Sequence, residues 1–306
     1  MVYEDFREDQ KKPNTCWCWV PYEVGGFSWE EAWLNNVVAG DTDSAMFSLS
    51  SLFDDDHSDI DEVVEVADAI GEIANDSFSD FCKFAFNCPD DRTFFIKTER
   101  EVVSDKSLFL SKKRYIMHIV DNEGERCDKL KIQGVELKKS DTSIAVKDML
   151  NELVMMILDN KGMADVVGRV SQMRNEFKKR TVHEIAVPCN TKTLTKVQKG
   201  YEVTGSLKGA HYSAKSAFWW NKMKTPQDQE VFAGQKVGLV YVNHPKFDSI
   251  GFPIDLETLP EWFTSIPIDY NTMWEKAYKK LTNYLKAVEW DIESRRENKK
   301  KELFGF

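Results

Sequence analysis

The chain has 306 residues, a formal net charge of −10, 42% hydrophobic and 30% charged side chains, enough to bury one large core or two smaller ones, with two domains expected. It has no run of about 18 apolar residues, which excludes a membrane-spanning helix, and the polar, acidic opening MVYEDFREDQKKPN reads against a secretory signal peptide. Six cysteines (Cys16, Cys18, Cys82, Cys88, Cys127 and Cys189) are scattered along the chain, which suits reduced thiols in a cytoplasmic setting better than a disulfide framework.

The total charge hides an asymmetry. Residues 1–80 hold 20 acidic and three basic side chains, leaving 31 acidic and 38 basic ones for residues 81–306. Such a split suggests one region that gathers cations and another that meets a polyanion.

In chain order, residues 1–36 crowd Trp17, Trp19, Trp29 and Trp33 around a Pro21/Gly25-Gly26 turn region. Four tryptophans there either dock on another chain or fold back on this one. Cys16-Trp17-Cys18 lacks the second pair that a zinc site needs. Residues Val37 to Phe47 read as two short apolar strands joined by an acidic turn. Residues two apart on an extended chain point the same way, so Asp41 and Asp43 can converge while Thr42 faces away. Paired hard oxygens suit Mg²⁺, although Asp-Thr-Asp also suits any surface turn. Asp54-Asp55-Asp56 reads as solvated loop.

Asp61 to Asn87 shows apolar residues at helical spacing, interrupted near Asn75-Asp76-Ser77, and predicts a core-packed helix pair. Thr93 to Lys97 predicts a strand. Leu108 to Val120 places Lys112-Lys113-Arg114-Tyr115 between two strand-like runs. Lysines there can meet phosphates or minor-groove acceptors, and they also protect ordinary strand edges. A turn follows at Asp121–Gly124. A basic, β-prone run from Asp128 to Thr142 then ends in a helix start capped by Ser140 or Asp141.

Two helices follow. The first carries Ile144, Met149, Leu150, Leu153, Val154, Ile157 and Leu158 and ends at Gly162; the second carries Ala164, Val167, Val170, Met173 and Phe177. Residues 181–250 read as short strands and turns, with a strand pair around Val237 and Ile250. Pro260 fits the first turn of a short helix. A last helix is striped by Trp274, Ala277, Tyr278, Leu281, Leu285 and Val288. A charged stretch then delivers Leu303-Phe304-Gly305-Phe306, apolar groups on a polar tether that suit a pocket on a partner.

The order of an acidic Gly-Asp-Thr-Asp-Ser hairpin, a Lys-Lys-Arg-Tyr strand about 70 residues on, and Leu-Lys-Ile-x-Gly-Val-Glu before a Lys-Ser-x-Thr helix start resembles the C-terminal part of family B DNA polymerases. The likeness extends to the replicative polymerases of T-even-type bacteriophages and runs from about Val37 to Phe306. It implies an α+β fold, in which the C-terminal part of a polymerase palm (antiparallel sheet with helices) precedes a mainly helical thumb with a small β-containing tip. The divisions it implies are residues 1–36, an extension; 37–137, palm; 138–296, thumb; and 297–306, a clamp-binding tail.

The resemblance further implies a role for each matching residue. Asp43 would bind two Mg²⁺ ions with Asp41 in support, and Glu101 of the Arg100-Glu101 pair would be a third carboxylate near the triphosphate. Lys112, Lys113, Arg114 and Tyr115 would grip the primer–template end, with Lys131 and Lys139 supporting the duplex backbone. Leu303, Phe304 and Phe306 would bind a sliding clamp. The partners expected are primer–template DNA, deoxynucleoside triphosphates, the clamp, and an N-terminal polymerase fragment that brings the remaining palm aspartate. The site of action expected is the cytoplasm, that of an infected bacterial host if the chain is phage-encoded. Ala39 stands where the family often has a tyrosine.

The rival reading is a non-catalytic DNA-binding and clamp-tethering module. An Asp-x-Asp glycosyltransferase shares the metal chemistry but leaves the basic strand and the tail without a role.

Overall fold

In the computed structural model the described residues are 37–41, 44–53 and 59–290, with the backbone alone of strands β1 (Thr15–Pro21) and β2 (Phe27–Trp33). The side chains of residues 37, 41 and 51 lie outside the description. Strands β1 and β2 pair antiparallel, from Thr15↔Trp33 to Pro21↔Phe27. The mixture of helices and small sheets is the expected α+β class.

The chain divides into two compact units, Met1–Ser107 with Met117–Lys131, and Leu108–Ile116 with Ile132–Phe306. In the first unit, the apolar runs on either side of the acidic turn form an antiparallel hairpin of β3 (Val37–Asp41) and β4 (Ser44–Phe47). After a 3-10 turn, Ser50–Leu52, comes a single helix, α1 (Ile60–Phe86), where a pair was expected. Asp59 caps it by accepting a hydrogen bond from the Asp61 N–H at 3.1 Å.

The polar triplet does not break α1 because its side chains find partners without disturbing the backbone ladder. The Asn75 amide donates to the Thr98 carbonyl at 2.9 Å and accepts from the Thr98 N–H at 2.7 Å, and the Ser77 hydroxyl donates to the Ala74 carbonyl. Nor is the helix core-packed: Cys82 is its one buried residue among those described, and Ile73 is 71% exposed.

The strand expected at Thr93–Lys97 is instead the end of a 3-10 helix, Asp90–Phe95. Pro89 fixes the backbone before it, and Thr93, buried, donates to the Asp90 carbonyl at 3.2 Å and accepts from Ser79. Three strands follow, hydrogen-bonded in the order β5-β6-β7: β5 (Val102–Ser111), β6 (Arg114–Asn122) and β7 (Glu125–Gln133). Two-residue turns at 112–113 and 123–124 join them. The second has positive φ at both Glu123 and Gly124, the twist that a tight hairpin requires.

In the second unit a 3-10 turn, Glu136–Lys138, precedes α2 (Ile144–Leu158). Ser143, not Ser140 or Asp141, occupies the cap position, and it makes no side-chain cap bond. The predicted stripe is buried except for Ile144, which is exposed. Helix α3 (Met163–Phe177) buries Val166, Val170, Met173 and Phe177. Arg169 of α3 is paired with Glu152 of α2 and with Glu176.

Residues 181–250 hold more helix than expected: α4 (Val182–Ile185), α5 (Leu194–Thr204) and α6 (Tyr212–Met223). The signal in α6 was obscured because Ser213, Ala214, Ser216 and Ala217 are buried small residues. Small residues let α6 approach the sheet closely: a Cβ on Gly251 would lie 2.8 Å from Ser216 Oγ. That sheet is antiparallel, in the order β10-β9-β8, with β8 (Val187–Asn190), β9 (Lys236–His244) and β10 (Phe247–Pro253). Pro260 is the cap, one position before α7 (Glu261–Thr264). Helix α8 (Tyr270–Ala287) buries Trp274, Ala277, Leu281 and Leu285 as striped, and Tyr284 besides.

Candidate nucleic-acid interface

The β3–β4 hairpin closes on the pair Asp41↔Ser44, so its backbone carries Asp41 to the last paired position of β3. Asp43 and the Asp41 side chain lie outside the described residues, as do Leu303, Phe304 and Phe306. Among the described residues no group of three or more His, Cys, Asp or Glu side chains is placed to hold a metal.

In the first unit the Arg100-Glu101 pair separates into two contacts. Arg100 Nε donates to Asp68 Oδ1 at 2.5 Å, and its Nη1 pairs with Asp121. Asp121 is 1% exposed and also accepts from the Gly124 N–H at 3.0 Å. Burial works to raise the Asp121 pKa, but the Arg100 and Gly124 hydrogen bonds and the Arg100 and Arg126 charges outweigh it and hold the carboxyl below its ordinary value. Arg126 in turn pairs with Asp61 at the start of α1. Glu101 is instead exposed and paired with Lys131. An exposed pair of this kind is worth about 0–1 kcal/mol, so a phosphate can compete for Lys131.

His118 of β6 has a carboxylate on each ring nitrogen: Asp105 Oδ1 is 2.6 Å from Nδ1 and Asp128 Oδ1 is 2.7 Å from Nε2. A neutral imidazole can donate to only one of them. The hydrogen bonds it donates to Asp128 and then to Asp105 raise its pKa above 6.5. A raised folded pKa means that the clasp contributes fully below the unfolded value and fades as pH rises through the folded one. Thermal melts from pH 6 to pH 9 should therefore show the wild-type advantage over His118→Gln shrinking with rising pH; an advantage that grew would contradict the clasp.

In the second unit Lys112 and Lys113 are the exposed turn between β5 and β6, with Lys113 at φ 61. Gly134, itself at φ 64, backs this turn so closely that a Cβ would collide with the Lys113 carbonyl oxygen. Gly134→Ala thus meets both a backbone clash and a left-handed conformation. It should destabilise the chain by about 2 kcal/mol or more in urea unfolding; a change within about 0.5 kcal/mol would refute the contact.

Arg114 Nη2 lies 2.7 Å from both Glu136 carboxylate oxygens, Lys139 Nζ is 3.3 Å from Oε1, and the Tyr284 hydroxyl donates to Oε2 at 3.3 Å. Burial pushes up the Glu136 pKa, but its own backbone N–H and the Arg114 and Lys139 charges prevail and lower it. Burial, then the Glu136 charge, raises that of Tyr284. Tyr115 packs its ring against Phe109, with centroids 5.8 Å apart. Lys280 of α8 donates to the Thr142 hydroxyl at 3.0 Å.

Residues 8–288 match the family described as DNA polymerase family B. The chain belongs to family B of the DNA polymerases. It is similar to the DNA polymerase delta catalytic subunits of Glycine max and of Oryza sativa subsp. japonica, each 30% identical over 179 residues. Those alignments cover 57% of this chain and 14% of each relative.

In this family B chain the expected Lys112, Lys113, Arg114, Tyr115 and Lys139 are brought into one unit, with Lys112 to Tyr115 at a single strand end. Glu101 and Lys131 belong to the other unit and to each other. Sequence reasoning read Glu136 only as part of the Leu-Lys-Ile-x-Gly-Val-Glu run and Asp121 only as part of a turn, and gave neither of them, nor Tyr284, a role. An acidic residue at 136, flanked by Lys131, Lys138 and Lys139 in a basic run, was the available signal for the first.

Proposed function

We propose that this chain is the palm-and-thumb portion of a DNA-directed DNA polymerase, catalysing nucleotidyl transfer once an N-terminal fragment completes the palm. What supports the reading is the Lys112–Lys113 turn: two exposed cations at a strand end, backed by Gly134 and by the Arg114–Glu136 pair, within a family B chain.

The primer 3′-hydroxyl would attack the α-phosphorus of a deoxynucleoside triphosphate, forming the new phosphodiester as the bond to pyrophosphate breaks. Asp43, with Asp41 beside it, would hold the metal. The donor chemistry fits: the backbone of Asp41 ends the paired strand, Asp43 follows two residues on in sequence, and two hard carboxylates suit Mg²⁺, which keeps its waters and adds substrate phosphates. When bound, a Mg²⁺ pair lowers the hydroxyl pKa and neutralises charge on the leaving pyrophosphate. Two such ions need more carboxylate than one hairpin carries, so a further aspartate would come from the complementary fragment.

The lysines act without chemistry of their own. Lys112 and Lys113 would hold duplex phosphates and minor-groove acceptors, and Tyr115, braced by Phe109, would present its hydroxyl to the primer end. Glu101 would approach the triphosphate, while Lys131 and Lys139 would exchange carboxylate partners for backbone phosphates. Leu303, Phe304 and Phe306 would anchor a sliding clamp, and a T-even-type phage setting accounts for this combination of parts.

Duplex binding by the chain should weaken steeply as salt rises, because each neutralised phosphate releases counterions. Fluorescence anisotropy with a primer–template between 50 and 200 mM salt measures this. A flat salt dependence would sink the reading.

A further inference from the structure

Glu136 is 8% exposed beside the fully buried Val135, a place where a carboxylate is costly unless paired. Its partners come from three parts of the second unit. Arg114 stands one residue beyond the lysine turn, Lys139 follows in the same segment, and Tyr284 belongs to the final helix. Residues 134–136 therefore brace the turn and the residue beside it, Gly134 against the Lys113 backbone and Glu136 through the charge on Arg114. Filling this space would need only apolar side chains, which are often as stabilising as a buried ion pair. What the carboxylate adds is direction, because it accepts Arg114 on both oxygens.

We infer that Glu136 is a positioning residue for DNA gripping, which orients the Lys112–Lys113 turn through Arg114 and ties it through Tyr284 to α8. This rests on the DNA-binding reading of the turn given above. Electrostatics and positioning make opposite demands here. Glu136→Gln removes a negative charge, so general attraction for a polyanion would tighten DNA binding, whereas loss of positioning weakens it.

The test measures the affinity of the full chain for a 20-base-pair primer–template with a recessed 3′ end. Wild type, Glu136→Gln, Lys112→Ala/Lys113→Ala and the combination are compared, with a thermal melt of each. Positioning predicts about tenfold weaker binding for Glu136→Gln despite its lost negative charge, and no further loss when it is added to the double lysine change. Unchanged or tighter binding by folded Glu136→Gln, or losses that multiply independently, would overturn the inference. Should the double lysine change itself leave affinity untouched, the DNA-binding reading of the turn fails first, and the inference with it. If Glu136→Gln does not fold, Tyr284→Phe takes its place, since it removes one hydroxyl contact to Glu136 and little volume. It should cost about twofold in affinity in the wild-type background and nothing in the lysine-free one; no loss in either would overturn the coupling to α8.

Discussion

Asp43→Ala is expected to lower primer extension by the completed polymerase about 10³-fold or more, the rate equivalent of about 4 kcal/mol of lost charge stabilisation. Alanine offers no oxygen to a metal, and among the described residues no carboxylate cluster stands ready to replace Asp43. The loss should fall on kcat, because Asp43 is anionic and adds nothing to the attraction for DNA. Duplex affinity measured without Mg²⁺ should stay within about twofold of wild type, or rise slightly. Asp41→Ala should cost less, about tenfold, since the proposed reading gives its carboxylate the supporting part. Single-turnover extension at saturating DNA separates these cases. An Asp43→Ala enzyme with undiminished kcat would remove the hairpin from the chemistry.

Trp220→Ala should destabilise the chain by about 3–5 kcal/mol. Trp220 is fully buried, and its indole N–H donates to the Gln229 carbonyl at 2.8 Å. Its ring lies 5.0 Å from that of Trp262 and 5.8 Å from that of Phe263. Truncation removes the largest fully buried side chain described and leaves the Gln229 carbonyl without its donor. Trp220→Phe keeps most of the packing and should cost far less, about 1–2 kcal/mol for the lost hydrogen bond and volume. Val203→Ala, at a side chain 86% exposed, is the matched control and should stay within about 0.5 kcal/mol. Urea midpoints provide the comparison; equal midpoints for Trp220→Ala and Val203→Ala would mean that the second unit's core is elsewhere.

Strong periodicity was legible in the sequence and weak periodicity was not. Helices α2, α3 and α8 announced themselves because large apolar residues recur on one face, and most of those residues are buried. The β3–β4 and β9–β10 pairs were legible from apolar runs. Helices α5 and α6 were not. Leu194 is the one buried residue of α5, and the buried face of α6 mixes Ser213 and Ser216 with its alanines, Phe218 and Trp220, which blurs the apolar stripe. Asn75-Asp76-Ser77 misled because partners distant in sequence decide whether a polar triplet breaks a helix, and Thr98 lies 23 residues beyond Asn75.

The site divides in the same way. Local composition exposed the Lys112–Tyr115 cluster. The buried partner that orients it, Glu136, was hidden because the Arg114 contact spans 22 residues and the Tyr284 contact 148. Arg100 was legible as half of a pair with Glu101, yet its partners are Asp68 and Asp121. Tertiary pairing of charges, unlike turn chemistry, leaves at most a faint local trace, such as one acidic residue among the lysines around position 136.

Primer extension in Mg²⁺ decides whether this family B chain supplies the palm-and-thumb portion of a polymerase, as proposed. The chain is assayed alone, beside a family B N-terminal fragment ending just before Val37, and mixed with it, using wild type and Asp43→Ala. Extension in the wild-type mixture, absent from either piece alone and lost with Asp43→Ala, is the predicted result. A mixture that associates and binds primer–template DNA yet adds no nucleotide would contradict it and leave a DNA-tethering module in its place.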